Sequence, residues 1–384
     1  MKDPEKGTIA YDLDFLSKYD SGLVVLQSEQ QGPVVVVSPK YQAKVFTSSV
    51  GSNSEPSFGW INYSFFESGK HDPHMQAYGG ESRMWLGPEG GQYSIFFPPE
   101  SEFTFENWKT PAPIDSEPWD LISKSEASVK MSKKTSLVSY SDISFDIEMS
   151  RTVSLLGNEK IVEQIGDLEI DKFKVVGYET INEIKNVGSQ VWDQDSGSVC
   201  IWILDMFPPS DKTVVLVPYN ENTDRMPIMK SDYFGKVPEN RLQADKGIIM
   251  FRADGKERGK IGVPPFRSTP LAGSIDLENN VLTVVQFNID STAKYMNSGW
   301  EIHEDPYSGD AINSYNDGPL ENGEQMGPFY ELESVSPAAF LAPEESMIHN
   351  HNVFHFTGAR EDILVLMNKL FNVSEEDVTS FLTK

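Results

Sequence analysis

Tyr330-Glu331-Leu332-Glu333-Ser334-Val335 reads as a β-strand that sets two carboxylates on one face. Strand side chains alternate, so Glu331 and Glu333 point the same way, about 7 Å apart along the strand, and Leu332 points the other way. Like charges this close resist joint ionisation, so one carboxyl can keep its proton toward neutrality while its neighbour stays charged. That is an acid/base arrangement; the same spacing also fits the solvated face of an edge strand. A second dense segment runs from Tyr78 to Gln92, where Gly79-Gly80 and Gly90-Gly91 flank Arg83, Trp85 and Glu89. Glycine lets backbone approach a ligand closely. Arg83 and Trp85 share a strand face, a charged fork beside an aromatic plate. Sugar sites use this combination, stacking the apolar pyranose face on a ring and binding hydroxyls through charged groups. A tight hairpin closed by an Arg–Glu ion pair would look the same.

A third cluster is His349-Asn350-His351-Asn352-Val353-Phe354-His355, which places His349, His351 and His355 on one face of a regular strand. Imidazoles two residues apart can ligate a metal, or one can act as a general acid; the alternative is an internally hydrogen-bonded set. His71, His74 and His303 fall in loops. There is no His-Glu-x-x-His pattern, phosphate loop, nucleophile elbow or dinucleotide fingerprint. The sequence requires no cofactor and leaves room for a divalent metal. Among the aromatics, Trp108, Trp192 and Tyr315 lie in loop-like stretches where they can line a glycan cleft.

Strands must position these groups. A short helix is expected over Tyr11–Tyr19. Apolar or alternating runs then recur between Gly, Pro, Asn and Asp: 23–26, 34–37, 42–47, 59–66, 92–97, 128–139, 144–156, 173–187, 199–207, 214–218, 247–252 and 281–289. Persistence of this pattern for most of the chain indicates an all-β sandwich or barrel. Helix is expected at the end, over Gly358–Phe371 and after the capped start Ser374-Glu375-Glu376-Asp377, as a cap over a sheet edge or end. Arg258–Pro270 and Asp305–Gly327 read as long polar loops of the kind that carry function. No linker or internal repeat divides the sequence, so residues 1–384 are expected to form one domain, with 358–384 its helical cap.

The chain has 384 residues, 39% hydrophobic, enough for a large core. Its 58 acidic and 32 basic residues give a formal charge of −26, which repels nucleic acid and anionic membranes and suits neutral or cationic ligands. No apolar run reaches the roughly 18 residues needed to span a bilayer. The one cysteine, Cys200, excludes an intramolecular disulfide framework and sits in an apolar run that reads as core. Met1–Gly7 is a polar lead-in, either a native start or the stretch left behind when an export signal is removed. Location stays open: periplasm or cell surface in the second case, cytoplasm otherwise.

Three segments resemble the galactose mutarotase-like superfamily, which includes aldose 1-epimerases, and more closely its uncharacterised bacterial members. They are Gly79 to Gln92, Glu179-Thr180-Ile181-Asn182-Glu183-Ile184-Lys185-Asn186-Val187-Gly188, and Tyr330 to Glu345 with the histidine-bearing strand after it. The resemblance implies a β-supersandwich with a ligand cleft on the concave sheet face, and a mono- or oligosaccharide partner. It matches Glu331 or Glu333 to the epimerase base. The epimerase histidines have no match: Cys200 to Phe207 replaces one region, and none lies near Arg83. Acid chemistry would then fall to His349, His351, His71 or His74. Arg83 and Glu89 are expected to bind hydroxyls or a carboxylate, with Trp85 stacking or packing beneath. The other reading is a non-catalytic glycan-binding or accessory component of a bacterial polysaccharide-utilisation system.

Overall fold

The computed structural model describes residues 4–384; of the polar lead-in, Met1, Lys2 and Asp3 lie outside the described residues. In chain order the helices are α1 (Ile9–Ser17), α2 (Tyr63–Ser68), α3 (Ala112–Asp115), α4 (Asn158–Ile165), α5 (Arg360–Phe371) and α6 (Glu375–Leu382). The strands are β1 (Val24–Leu26), β2 (Val34–Ser38), β3 (Lys44–Ser49), β4 (Ser82–Gly87), β5 (Asp120–Lys124), β6 (Ser128–Val138), β7 (Ser144–Leu155), β8 (Phe173–Asn186) and β9 (Cys200–Phe207). They continue with β10 (Thr213–Pro218), β11 (Leu242–Asp245), β12 (Ile248–Arg252), β13 (Gly259–Val263), β14 (Leu271–Asp276), β15 (Val281–Phe287), β16 (Ile312–Asn316), β17 (Tyr330–Val335) and β18 (Ser346–Gly358). They build two antiparallel sheets. One has eight strands in the order β1-β2-β3-β4-β9-β17-β16-β13, the other ten in the order β11-β12-β10-β14-β15-β18-β8-β7-β6-β5.

The sheets pack as the expected all-β supersandwich. One core joins Met84, Ile203 and Leu332 of the first sheet to Val215, Ile249, Val285 and Val353 of the second. Alternation explains the second layer. Val214, Leu216, Val284 and Phe354 point outward from the ten-stranded sheet and are covered by Ile161 of α4, Ile363 and Leu366 of α5, and Phe381 of α6. The C-terminal helices therefore cover a sheet face rather than an edge. Ser374 and Asp377 form the expected capping box. On the other side of the molecule, α1 and α2 cover Val34, Val36 and Phe46, on the outer face of β2–β3.

Several local expectations fail for identifiable reasons. Residues 59–66 do not form a strand. Asn62 accepts a hydrogen bond from the Phe65 amide, and Gly69 ends α2 with a φ of 59°. Residues 92–97 form turns, held by the Ser94 amide on the Gly91 carbonyl and the Phe96 amide on the Ser94 hydroxyl. Gly157-Asn158, just past the run 144–156, opens α4, a helix that the strand pattern does not announce and whose Ile161 and Ile165 are buried. The two long polar stretches contain β13 and β16, which pair with each other at the end of the eight-stranded sheet. Among the described residues, no helix is long and apolar enough to cross a membrane.

Candidate functional site

Strand register assembles the site. Paired residues on antiparallel strands share a face. Arg83, Leu204, Glu333, Asn313 and Gly262 form one row across β4, β9, β17, β16 and β13. Met206, Glu331, Tyr315 and Lys260 form the next row, and Trp85, Trp202 and Val335 a third. These rows lie on the outer face of the eight-stranded sheet, beyond the reach of α1 and α2. The intervening positions Asp205 and Ser334 point between the sheets.

The rows bring opposite charges into contact. Arg83 Nη2 donates to Glu331 Oε1 at 2.5 Å, and its guanidinium lies 4.9 Å from the Trp85 ring centroid. Glu333 Oε2 accepts from Lys260 Nζ at 2.9 Å and from the Trp202 indole N–H at 2.8 Å. Glu333 Oε1 is buried and has no partner among the described residues. Burial, opposed by Arg83 and reinforced by the charge of Glu333, raises the Glu331 pKa to about 7. For Lys260, burial disfavours the ammonium, but the field of Glu333, Glu89 and Glu331 outweighs it and the pKa rises. Burial also raises the Glu89 pKa; Lys260 opposes this and Glu333 adds to it.

Above this face lies a cavity of about 820 Å³, lined by Glu89, Trp202, Lys260, Tyr315 and Trp300 among others. That is toward the upper end of the range for ligand sites, roughly 300–1,000 Å³. Glu331 and Glu333 sit immediately behind the lining, both buried. One wall holds Tyr233, whose hydroxyl donates to Asp310; burial raises the Asp310 pKa to about 6. A Cβ on Gly262 would fall 2.3 Å from Asp310 Oδ2 and 2.5 Å from the Tyr233 hydroxyl, so the pair needs glycine beneath it. At the mouth, Arg258 stacks 3.8 Å from the Phe234 centroid and donates from Nε to the Tyr315 hydroxyl at 3.2 Å.

Arg83, Trp85, Tyr315, Glu331 and Glu333 thus gather on one sheet face, with Glu89 in the lining of the cavity above it. Trp192, His349 and His351 do not. Trp192 is in the main core, edge-on to Phe145 at 5.5 Å. His349 and His351 share a face of β18, as expected, but it is the face turned between the sheets, across β17 from the carboxylates. There Ser334 Oγ contacts His349 Nε2 and His351 Nδ1, both at 2.8 Å, and His351 Nε2 lies 2.6 Å from Asp205 Oδ2. Burial, with His351 beside it, pushes the His349 pKa down to about 3. His355 joins the same interior, 3.1 Å from Glu81. Among the described residues, no three His, Cys, Asp or Glu side chains are gathered to hold a metal ion.

Sequence reasoning missed Lys260, Trp202, Tyr233 and Asp310. Lys260 lies on a five-residue strand inside a stretch that reads as loop. Trp202 belongs to a strand buried on both faces, where alternation gives no sign of which side chains face a ligand.

No curated protein matches the sequence. Solved structures do resemble the fold. The Slr1438 protein from Synechocystis is 13% identical, with a TM-score of 0.52 over 87% of this chain and 96% of that one. A putative aldose 1-epimerase from Escherichia coli is 11% identical, with a TM-score of 0.48 over 87% of this chain and 99% of that one. A galactose mutarotase-like protein from Lactobacillus casei is 9% identical, with a TM-score of 0.48 over 87% of this chain and 100% of that one. At these identities the likeness is one of fold. Over residues 7–382, the chain belongs to DUF6786, a family of unknown function.

Proposed function

We propose that the protein binds a carbohydrate in the cavity on the outer face of the eight-stranded sheet and performs acid–base chemistry at the anomeric centre. One observation carries this reading: Glu333 offers a buried, unpartnered Oε1 while Lys260 and Trp202 hold its other oxygen. Lys260 and Trp202 cover Glu333 from the cavity, so a sugar that displaces the Lys260 side chain would bring its hydroxyl to this unpartnered oxygen, which can accept the proton. Glu89, whose pKa burial raises, is suited to keep a proton and donate it. Two carboxyls in contrasting environments divide the roles of base and acid.

Few proton transfers are needed. Glu333 takes the proton of the anomeric hydroxyl, Glu89 protonates the ring oxygen, and the bond from anomeric carbon to ring oxygen breaks. Rotation of the aldehyde and the reverse transfers give the other anomer and restore both carboxyls. Trp202 and Tyr315 supply apolar faces, and Arg83 positions Glu331 beneath.

The test measures sugar binding by calorimetry across a glycan panel, and anomer exchange by NMR, for wild type and Glu333→Gln. Exchange lost in Glu333→Gln with affinity nearly kept supports the reading. Exchange and affinity both unchanged would overturn it. A non-catalytic binding role has its own support, since Glu331 and one oxygen of Glu333 are already engaged in ion pairs; sugar binding by wild type with no exchange would select it.

A further inference from the structure

The cavity is larger than one sugar ring needs, and its mouth differs from its floor. The floor is charged. The mouth exposes Phe105, Phe234, Leu320 and Met326, which are 56%, 46%, 45% and 40% exposed. A clustered apolar rim of this kind marks a surface that meets a ligand.

A second cavity of about 430 Å³ lies next to the first, and Met326 lines both. It contains Trp60, Asn62, Tyr63, Asp12 and Glu67, on the α1–α2 side of the same outer face. Trp60 is half-buried and fixed in place. Its ring lies 4.8 Å from Phe329, and a Cβ on Gly79 would come within 2.8 Å of it. Asp12 is fully buried. It accepts from the Tyr63 hydroxyl at 2.5 Å through Oδ1; among the described residues Oδ2 makes no hydrogen bond within 3.5 Å, with the Ser57 hydroxyl and Lys6 beside the carboxylate in the same lining. An aromatic plate with a buried carboxylate behind it repeats, in smaller form, the arrangement of Trp202 and Glu333 at the first cavity.

We infer that the ligand is an oligosaccharide, with one unit over Trp202 and Glu333, the chain passing the apolar mouth at Met326, and a distal unit in the second cavity against Trp60. Repeated aromatic plates suit a chain whose every ring has an apolar face, while a free monosaccharide leaves the mouth and the second cavity unused. The inference rests on the sugar-binding reading above and extends it.

The probe is a ladder of gluco-, galacto- and xylo-oligosaccharides from mono- to hexasaccharide, titrated calorimetrically into the full chain. The variants are Trp60→Ala, which removes the distal plate, and Glu67→Trp, which fills the second cavity from the exposed surface of α2. In wild type, affinity should rise with chain length. Each variant should lose about tenfold of that gain, about 1.4 kcal/mol, while monosaccharide affinity holds. Glu67→Trp keeps the test sound if Trp60→Ala folds poorly. Wild-type affinity that is flat with length, or a full gain retained in Glu67→Trp, overturns the distal site and leaves the sugar-binding reading standing. No binding of any sugar by wild type overturns both.

Discussion

Arg83 and Glu331, 248 positions apart in sequence, meet at 2.5 Å across the middle of the eight-stranded sheet. The pair bridges β4 and β17 over the intervening β9. Breaking a buried pair from one side strands the other charge. Arg83→Met is therefore expected to cost about 3 kcal/mol at pH 8 and clearly less at pH 5, where Glu331 can take a proton. Urea unfolding at the two pH values checks this.

Glu331 should also leave a mark on stability in the otherwise unaltered protein. Its folded pKa, about 7, lies above the ordinary glutamate value of 4.5 because the carboxyl is buried. A raised folded pKa means that the native state binds the proton more tightly than the unfolded chain. Its contribution is present below about pH 4.5 and is lost as pH rises through about 7. Wild type should accordingly lose up to about 3 kcal/mol relative to Glu331→Gln between about pH 4.5 and pH 8. Parallel pH profiles for the two proteins would refute this.

Lys260 and Glu333 should show strong coupling. Lys260→Met leaves Glu333 facing Trp202 without its cation, and a loss of roughly 3 kcal/mol is expected. In the double variant Lys260→Met/Glu333→Leu, both charges leave together. Stability should then recover by about 2 kcal/mol or more. The four-protein cycle measured by denaturant unfolding gives the coupling, and simple additivity would contradict it.

Asp205 and His351 are predicted to be structural. Asp205→Asn weakens a fully buried contact between the sheets and should destabilise by about 2–4 kcal/mol. Sugar affinity at a temperature where the variant is folded should stay within about twofold of wild type. A large loss of affinity without destabilisation would place these residues in the functional machinery instead.

The parts of the fold legible in the sequence share one property: a single face per strand. Alternation along β6 and β7 marks Val129, Met131, Phe145 and Ile147 as inward. It also puts Glu331 and Glu333 together on β17 and His349 with His351 on β18. It does not say which face is the inside of the sandwich. Here the inward face of β18 holds polar side chains, because Asp205, Ser334 and Glu81 satisfy the imidazoles there. Histidines that look available from spacing are therefore enclosed, and carboxylates that fit a wet edge lie beneath a cavity. Lys260 is hidden for a different reason. Its strand is short and holds its place through pairing with β16, a long-range contact that local pattern does not encode.

The positions of β17 and β18 also bear on how the protein is made. β17 lies between β9 and β16, and β18 between β15 and β8, so seams inside both sheets close with the last two strands in chain order. On the ribosome, β8 and β9 wait with one edge unpaired until these segments emerge. Exposed edges invite pairing with other chains, and long-range closure is slow. Closure of both sheets thus waits for long-range pairing, and the interval before it is when the chain most needs shelter from its neighbours.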